Sequence, residues 1–407
     1  MIRHRCCRHV TKTLALSLLT GYGLIILVRR GLDYVALLDQ LPPPIWPEDS
    51  NLTDRILEQL HYHPISVTNV DESSSDQTAR RSIRILLPHS LSTWGVAAGR
   101  KQFTGCPVDS CELLEDRFRP DLADAVIFRN DFFGHPKPRP MGQIWIYYTL
   151  ESPAHTLPMG QFGAGQVNWT ATYRSDSDIV TPYAKWVPYK KGHKMKPSSF
   201  VKTDYARNKS LPVAWFVSNC VTDNLRYQYA KELAKYVQVD IYGTCPKAGR
   251  CDKVDSECWT MLKNDYRFYL SFENSNCKEY ITEKLFWNAL EHDIVPIVMG
   301  ASPQDYLNQA PPNSYIHVEN FSSPRQLALY LLYLMRHPDE YNQYFAWKRK
   351  GRFIDTKFWC RVCSLLHAPK YKTYWDLDGW WKPTGICRAP VWTPSNSSEH
   401  VIGKAVK

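Results

Sequence analysis

The chain has 407 residues, and its 50 Lys and Arg against 40 Asp and Glu give a formal net charge of +10. The basic residues are scattered, with no long Lys/Arg block and no RNA-binding signature, which argues against a nucleic-acid partner. A field of that sign would help gather an anionic nucleotide ligand, although the charge does not demand one.

From the N-terminus, Arg3, Arg5, Arg8 and Lys12 precede an apolar run, and Arg29-Arg30 follow it. Residues 10–28 are long enough to cross a bilayer core of about 30 Å. A cleaved signal peptide would need a shorter apolar core and a small-residue cleavage site, and no Ala-x-Ala pattern is nearby. The expectation is a cytosolic tail at 1–9 and a signal anchor at 10–28, oriented by the excess of upstream cations. The bulk of the chain would then face a lumen. Beyond Cys6 and Cys7 lie ten cysteines, an even number that suits disulfides in an oxidising compartment, with pairing unreadable from spacing. Sequons at Asn51, Asn168, Asn208, Asn320 and Asn396 fit a secretory route, and Asn168 sits in a dense aromatic stretch.

Residues 29–81 read as a stem, rich in Pro and Ser, with a short helix at 52–60. Roughly 320 residues follow, more than one hydrophobic core usually serves, so two lobes are expected. Apolar runs at 83–87, 125–128 and 144–149 suit buried parallel strands of a first lobe, 82–200. A second lobe, 201–354, alternates strands at 213–217, 239–242, 268–272, 295–299 and 315–318 with helices at 225–236, 281–292 and from Pro324. Alternation of this kind predicts a doubly wound parallel α/β sheet in each lobe. A Trp- and Cys-rich segment, 355–407, closes the chain and is expected to pack across both lobes.

The densest chemistry lies at 265–300, a strand, a polar loop, a helix and a second strand carrying Glu273, Asn274, Tyr280, Glu283 and Lys284. Anionic nucleotides bind where parallel strands end at a helix N-terminus. Lys284 in a first helical turn opposes the helix dipole, so its place there invites another explanation, although chance surface lysines are common. Arg226 follows a strand end, and an arginine fork suits phosphate oxygens. Ser218, Asn219 and Tyr242 sit near the same strand ends, while Phe268 and Phe272 share one face of a strand and read as core. In the first lobe, Glu151 ends an apolar strand, two residues before Pro153. As residues alone, Glu151 reads equally as a solvated strand-end carboxylate, Glu273 as core or site, and His155 as structural or acceptor-shaping.

The run 265–300 and Glu151-Ser-Pro-Ala-His155 resemble the signatures of the α1,3-fucosyltransferases, glycosyltransferase family ten. The resemblance spans about 81–363. It implies a type II Golgi membrane enzyme with a GT-B-like fold: two doubly wound lobes facing a cleft, behind a transmembrane helix and stem. It makes Glu151 the catalytic base, and gives Arg226 and Lys284 to the diphosphate of GDP-fucose. Glu283 would take the ribose hydroxyls, and Asn274, Tyr280, Ser218, Asn219 and Tyr242 would line the donor pocket. The implied reaction is inverting transfer of L-fucose to the 3-hydroxyl of GlcNAc on glycoproteins or glycolipids. N-acetyllactosamine and the Asn-linked core GlcNAc both remain open as acceptors. So do a GT-B transferase using another donor, a non-catalytic Golgi glycan-binding protein, and self-association as a homodimer.

Two motifs compete with this reading. Asp176-Ser-Asp178 spells a metal-holding Asp-x-Asp, which the family carries without a metal role; two cations at the diphosphate make a metal dispensable, at most stimulatory. Cys360-Arg-Val-Cys363 resembles a redox or zinc motif, but a second ligand pair and a thioredoxin-like context are missing. A structural disulfide, as in the family, is the implied role.

Overall fold

The computed structural model describes residues 54–64, 82–114, 119–132, 135, 139–190, 203–246, 249, 251 and 256–394. The expected anchor at 10–28, most of the stem, and the sequons at Asn51 and Asn396 lie outside the described residues. Among the described residues no helix is long and apolar enough to cross a membrane.

The first sheet holds β1 (Ile83–Leu86), β2 (Cys111–Leu113), β3 (Ala125–Arg129), β4 (Ile144–Thr149) and β5 (Trp169–Thr172). Its order is β2-β1-β3-β4-β5, all parallel. After β6 (Lys185–Pro188), the second sheet holds β7 (Leu211–Val217), β8 (Val239–Gly243), β9 (Tyr266–Phe272), β10 (Val295–Met299) and β11 (Ile316–His317). It runs β8-β7-β9-β10-β11, again all parallel. Renumbered within its own lobe, the second sheet has the order of the first. Each therefore reverses its winding beside its first strand, which opens a crevice at the carboxyl ends of the strands. β12 (Gly351–Ile354) returns from the second lobe to pair antiparallel with β6.

The second lobe follows the alternation expected of it. Val213, Trp215 and Val217 of β7 and Phe268, Leu270 and Phe272 of β9 share one core with helices Arg226–Leu233 and Pro324–Arg336. Ala214, Phe216 and Tyr269 point to the opposite face, onto helix Ser256–Asp265. That helix was not among those expected from the sequence. The helix expected at 281–292 is shorter: an α-helical turn Glu283–Leu285 opens into a π turn, Phe286–Leu290.

The first lobe keeps the doubly wound strand order but lacks long covering helices. Its connections carry short turns such as Lys101–Phe103 and Pro153–His155 rather than long helices. Its sheet is covered instead by distant sequence. Leu377 and Trp381 enter the core of Leu86, Val126, Phe128, Trp145 and Tyr147. Helix Phe358–Leu366 is bonded to the lobe by Cys106–Cys360 and Cys111–Cys363. The CxxC cysteines thus pair with the first lobe and not with each other. Cys111, Cys363 and His367 cluster closely enough for a metal, but the first two are bonded to one another, leaving no thiolate to offer.

Further along, Val391 and Trp392 pack on the second-lobe core, so the closing segment touches both lobes. Part of the expected stem is also folded in. Helix Arg55–Leu60 buries Ile56 and Gln59; Gln59 donates to the Asp178 carbonyl at 2.7 Å and accepts from Arg361 at 3.0 Å. Asp54 caps that helix and pairs with Lys185 at 2.5 Å.

Candidate active site

Glu151 lies two residues past β4. Its backbone N–H donates to Thr149 Oγ1 at 3.2 Å, and Thr149 in turn donates to Asn130 at 2.9 Å, which fixes the strand end. The Glu151 carboxylate is held through one oxygen. Oε1 accepts from the Ser152 N–H at 2.8 Å, Asn274 Nδ2 at 3.2 Å and the Tyr280 hydroxyl at 2.9 Å. Among the described residues Oε2 has no hydrogen-bond partner. The carboxylate is half-buried. One oxygen thus orients the group, and the residue stays partly exposed.

Asn274 and Tyr280 come from the loop after β9, so the second sheet supplies the groups that orient a carboxylate of the first. Tyr280 is buried within the first-lobe core, its ring 5.2 Å from Tyr173. Burial, reinforced by Glu273, Tyr183 and Glu151, pushes its hydroxyl far up, so it remains a proton-bearing donor to Glu151. The loop is clasped next door as well: the Glu279 carboxylate accepts from Ser175 N and Oγ, each at 2.6 Å. Glu279 has φ 58° and Leu225, just before Arg226, has φ 57°. Left-handed backbone costs a side-chain-bearing residue about 1–2 kcal/mol, and such strain gathers at ligand sites.

Lys284 follows the Thr282 N-cap. Its ammonium donates to Thr282 Oγ1 at 2.9 Å and pairs with Glu273 at 3.0 Å and Glu283 at 3.1 Å. Burial works against its charge, but the two carboxylates outweigh burial and hold the ammonium above its ordinary value. Burial also opposes ionisation of Glu283, yet Lys284 keeps that carboxyl below its usual range.

Arg226, expected as an open phosphate ligand, is largely occupied. At 4 % exposure it spans the crevice between β7 and β9, donating to the Phe272 carbonyl at 2.7 Å and the Asn219 carbonyl at 2.8 Å. Two of its N–H groups therefore brace the strand ends. Ser218 and Asn219 are exposed where β7 ends, and the Ser218 carbonyl accepts from Thr244 Oγ1 at 2.9 Å. Tyr242 is not brought to this cluster. Its hydroxyl meets that of Tyr266, the first residue of β9, at 2.7 Å, and Tyr266 goes on to Asp240, so it points toward the opposite ends of the strands. His155 is exposed.

The Asp-x-Asp carboxylates are committed elsewhere. Asp176 pairs with Arg174; Asp178 accepts from Thr170 N at 2.8 Å and from Lys372 and Tyr374. They do not converge on one point. Sequence reasoning also passed over three contributors. Tyr183 donates to the Leu150 carbonyl at 2.8 Å, beside Glu151. Asn224 donates to the Glu273 carbonyl at 2.9 Å and to Asn276 at 3.1 Å. Thr282, in Tyr280-Ile-Thr-Glu, stood where an N-cap is read.

Known proteins match the chain over most of its length. The model of the fucosyltransferase N-terminal region matches residues 81–184, and that of the glycosyltransferase family 10 (fucosyltransferase) C-terminal region matches 206–380. The chain is 44 % identical over 369 residues to "Glycoprotein 3-alpha-L-fucosyltransferase A" of Drosophila melanogaster, covering 88 % of this chain and 71 % of that protein. It is 33 % identical over 344 residues to "Alpha-(1,3)-fucosyltransferase fut-1" of Caenorhabditis elegans, covering 79 % and 76 %. Among solved structures, an α1,3-fucosyltransferase with GDP-fucose aligns at 15 % identity and a TM-score of 0.46, covering 74 % of this chain and 95 % of that one.

Proposed function

The chain belongs to glycosyltransferase family 10, the fucosyltransferases, and we propose that it moves L-fucose from GDP-β-L-fucose to the 3-hydroxyl of a GlcNAc residue with inversion. The observation that carries this reading is Glu151: a partly exposed first-lobe carboxylate oriented through Oε1 by two donors of the second lobe, with no hydrogen-bond partner on Oε2 among the described residues. We read the two parallel lobes as a GT-B pair, with the donor at the β7–β9 crevice.

In this mechanism the acceptor hydroxyl gives its proton to Glu151 as its oxygen attacks the anomeric carbon in line. The bond to GDP breaks on the opposite face, so β-linked fucose becomes α-linked without a covalent intermediate. The Lys284 ammonium exchanges Glu283 for a diphosphate oxygen, which frees Glu283 to accept from the ribose hydroxyls. Arg226 adds its charge and its unspent N–H groups. Two cations can carry the leaving-group charge, so no metal is obligatory in this scheme, and activity is expected to persist in chelator.

A glycoprotein acceptor is supported by the name of the Drosophila relative. A Golgi membrane location, type II with a luminal catalytic part, is supported by the apolar run at 10–28 and by five disulfides. A panel of radiolabelled nucleotide sugars tests the donor: only GDP-fucose should be consumed, and use of another donor overturns the assignment. Mass spectrometry of products from N-acetyllactosamine and from core-GlcNAc glycopeptides then distinguishes the acceptors.

A further inference from the structure

Glu273 directly follows β9 and is fully buried, yet the transfer mechanism does not use it. Its Oε1 accepts from the Thr282 N–H at 2.8 Å and the Thr282 hydroxyl at 2.9 Å, and Oε2 lies 3.0 Å from the Lys284 ammonium. β10 is shaped around it. Gly300, just past that strand, has φ +148°, and a Cβ there would lie 2.7 Å from Glu273 Cβ and 2.8 Å from Cγ. The Glu273 N–H is held by the Met299 carbonyl at 2.8 Å. Two strands and a helix start thus converge on one dry carboxylate.

From this geometry we propose that Glu273 is a positioning residue for the donor: it keeps Lys284 protonated and aimed into the crevice, and it pins the turn that carries Glu283. The inference rests on the reading above, in which Lys284 meets the diphosphate.

The two carboxylates that face Lys284 are not equivalent. Glu283 is 32 % exposed and can leave the lysine when a nucleotide arrives, whereas Glu273 is sealed and cannot. The Lys284 side chain is 19 % exposed. Glu283 is therefore the exchangeable partner and Glu273 the permanent one. Burial raises the Glu273 carboxyl and Lys284 lowers it, with burial ahead. A buried ion pair is a poor way to gain stability, since apolar replacements are often neutral or better. A lysine whose charge is kept for an anion gives it a purpose.

The test is the pH dependence of kcat/KM for GDP-fucose in wild type, Glu273→Gln, Glu273→Asp and Lys284→Ala, each first checked for folding by circular dichroism. Without the Glu273 charge, the lysine keeps the burial that disfavours its ammonium and loses a partner that favours it. In Glu273→Gln the basic limb should move to lower pH and kcat/KM should fall about ten- to a hundredfold, the scale of one buried charge-assisted bond, with the acceptor KM unchanged. Glu273→Asp should restore the basic limb but only part of the rate, because it is one methylene shorter. A wild-type limb in Glu273→Gln overturns the inference. Should Glu273→Gln not fold, wild-type rate and limb in Glu273→Asp overturn it, and a lowered rate with the limb retained supports it. Lys284→Ala separates the two levels: unchanged GDP affinity there defeats the underlying reading, whereas lost affinity beside an unmoved Glu273→Gln limb defeats the positioning role alone.

Discussion

The Tyr280 hydroxyl donates to Glu151 Oε1 across 2.9 Å, although the two residues are 129 positions apart and extend from different sheets. The lobe assigned to the donor therefore orients the group assigned to deprotonate the acceptor. Glu151→Gln keeps the size of the side chain but cannot accept the proton. Its kcat should fall about 10²–10⁴-fold, the range for a general base, while GDP binding, read by calorimetry, is retained. Near-normal turnover would remove Glu151 from the mechanism. Tyr280→Phe should lower kcat about tenfold by deleting one orienting bond.

Of the three described sequons, Asn168 should stay unmodified in the folded protein. Its Nδ2 donates to the Lys372 carbonyl at 2.7 Å, its Oδ1 accepts from Trp145 N at 2.9 Å, and the residue is buried. Asn208 and Asn320 are exposed. Glycopeptide mass spectrometry of secreted protein should, of these three, find glycan at the latter two; occupancy of Asn168 would contradict this packing.

Non-reducing peptide mapping should join Cys106 to Cys360 and Cys111 to Cys363, never Cys360 to Cys363. Replacing Cys111 and Cys363 together by Ala should cost about 2–5 kcal/mol, the usual effect of losing a native disulfide, seen as a lower denaturant midpoint.

A truncation starting at residue 64 should be less stable than one starting at residue 50. The shorter chain lacks Ile56 and Gln59, and it strips a side-chain partner from Arg361, which is fully buried. An unsatisfied buried donor costs about 1–3 kcal/mol. Equal melting temperatures would show that helix Arg55–Leu60 is dispensable.

Lys209 carries a pH signature. Burial lowers its amine to about 8, despite the opposing pull of Asp293. Between that value and the unfolded value of about 10.4, the unfolded chain holds more protons, so folding stability should rise with pH. Below about pH 8 both states are charged and the burial penalty is fully present. The wild-type denaturant midpoint should therefore gain on that of Lys209→Met as pH rises through this window. A constant difference would mean that Lys209 is not desolvated.

Much of the second lobe was legible because its strands are continuous apolar runs, as in Val295–Met299, and buried parallel strands read that way. β2 and β5 were not: Cys-Glu-Leu and Trp-Thr-Ala-Thr are short and carry polar residues that find partners only in the fold. Glu273 illustrates the limit for the site. Its type and position suit core and site equally, and only its contacts with Thr282, Lys284 and Gly300 separate the two. Arg226 and Tyr242 show the reverse. Spacing puts both near strand ends, but side-chain direction decides what they reach: Arg226 braces two carbonyls, and Tyr242 turns away to Tyr266.

The sequence by itself determined the class of the protein, two parallel α/β lobes with a nucleotide-type junction at 265–300, because strand burial and loop chemistry are local patterns. Only the tertiary structure decided that Glu151 meets Asn274 and Tyr280, that the CxxC cysteines bridge to the first lobe, and that Lys284 is held by a sealed carboxylate. Those are contacts between residues far apart in the chain, and no periodicity within one segment encodes which distant partner its side chains will meet.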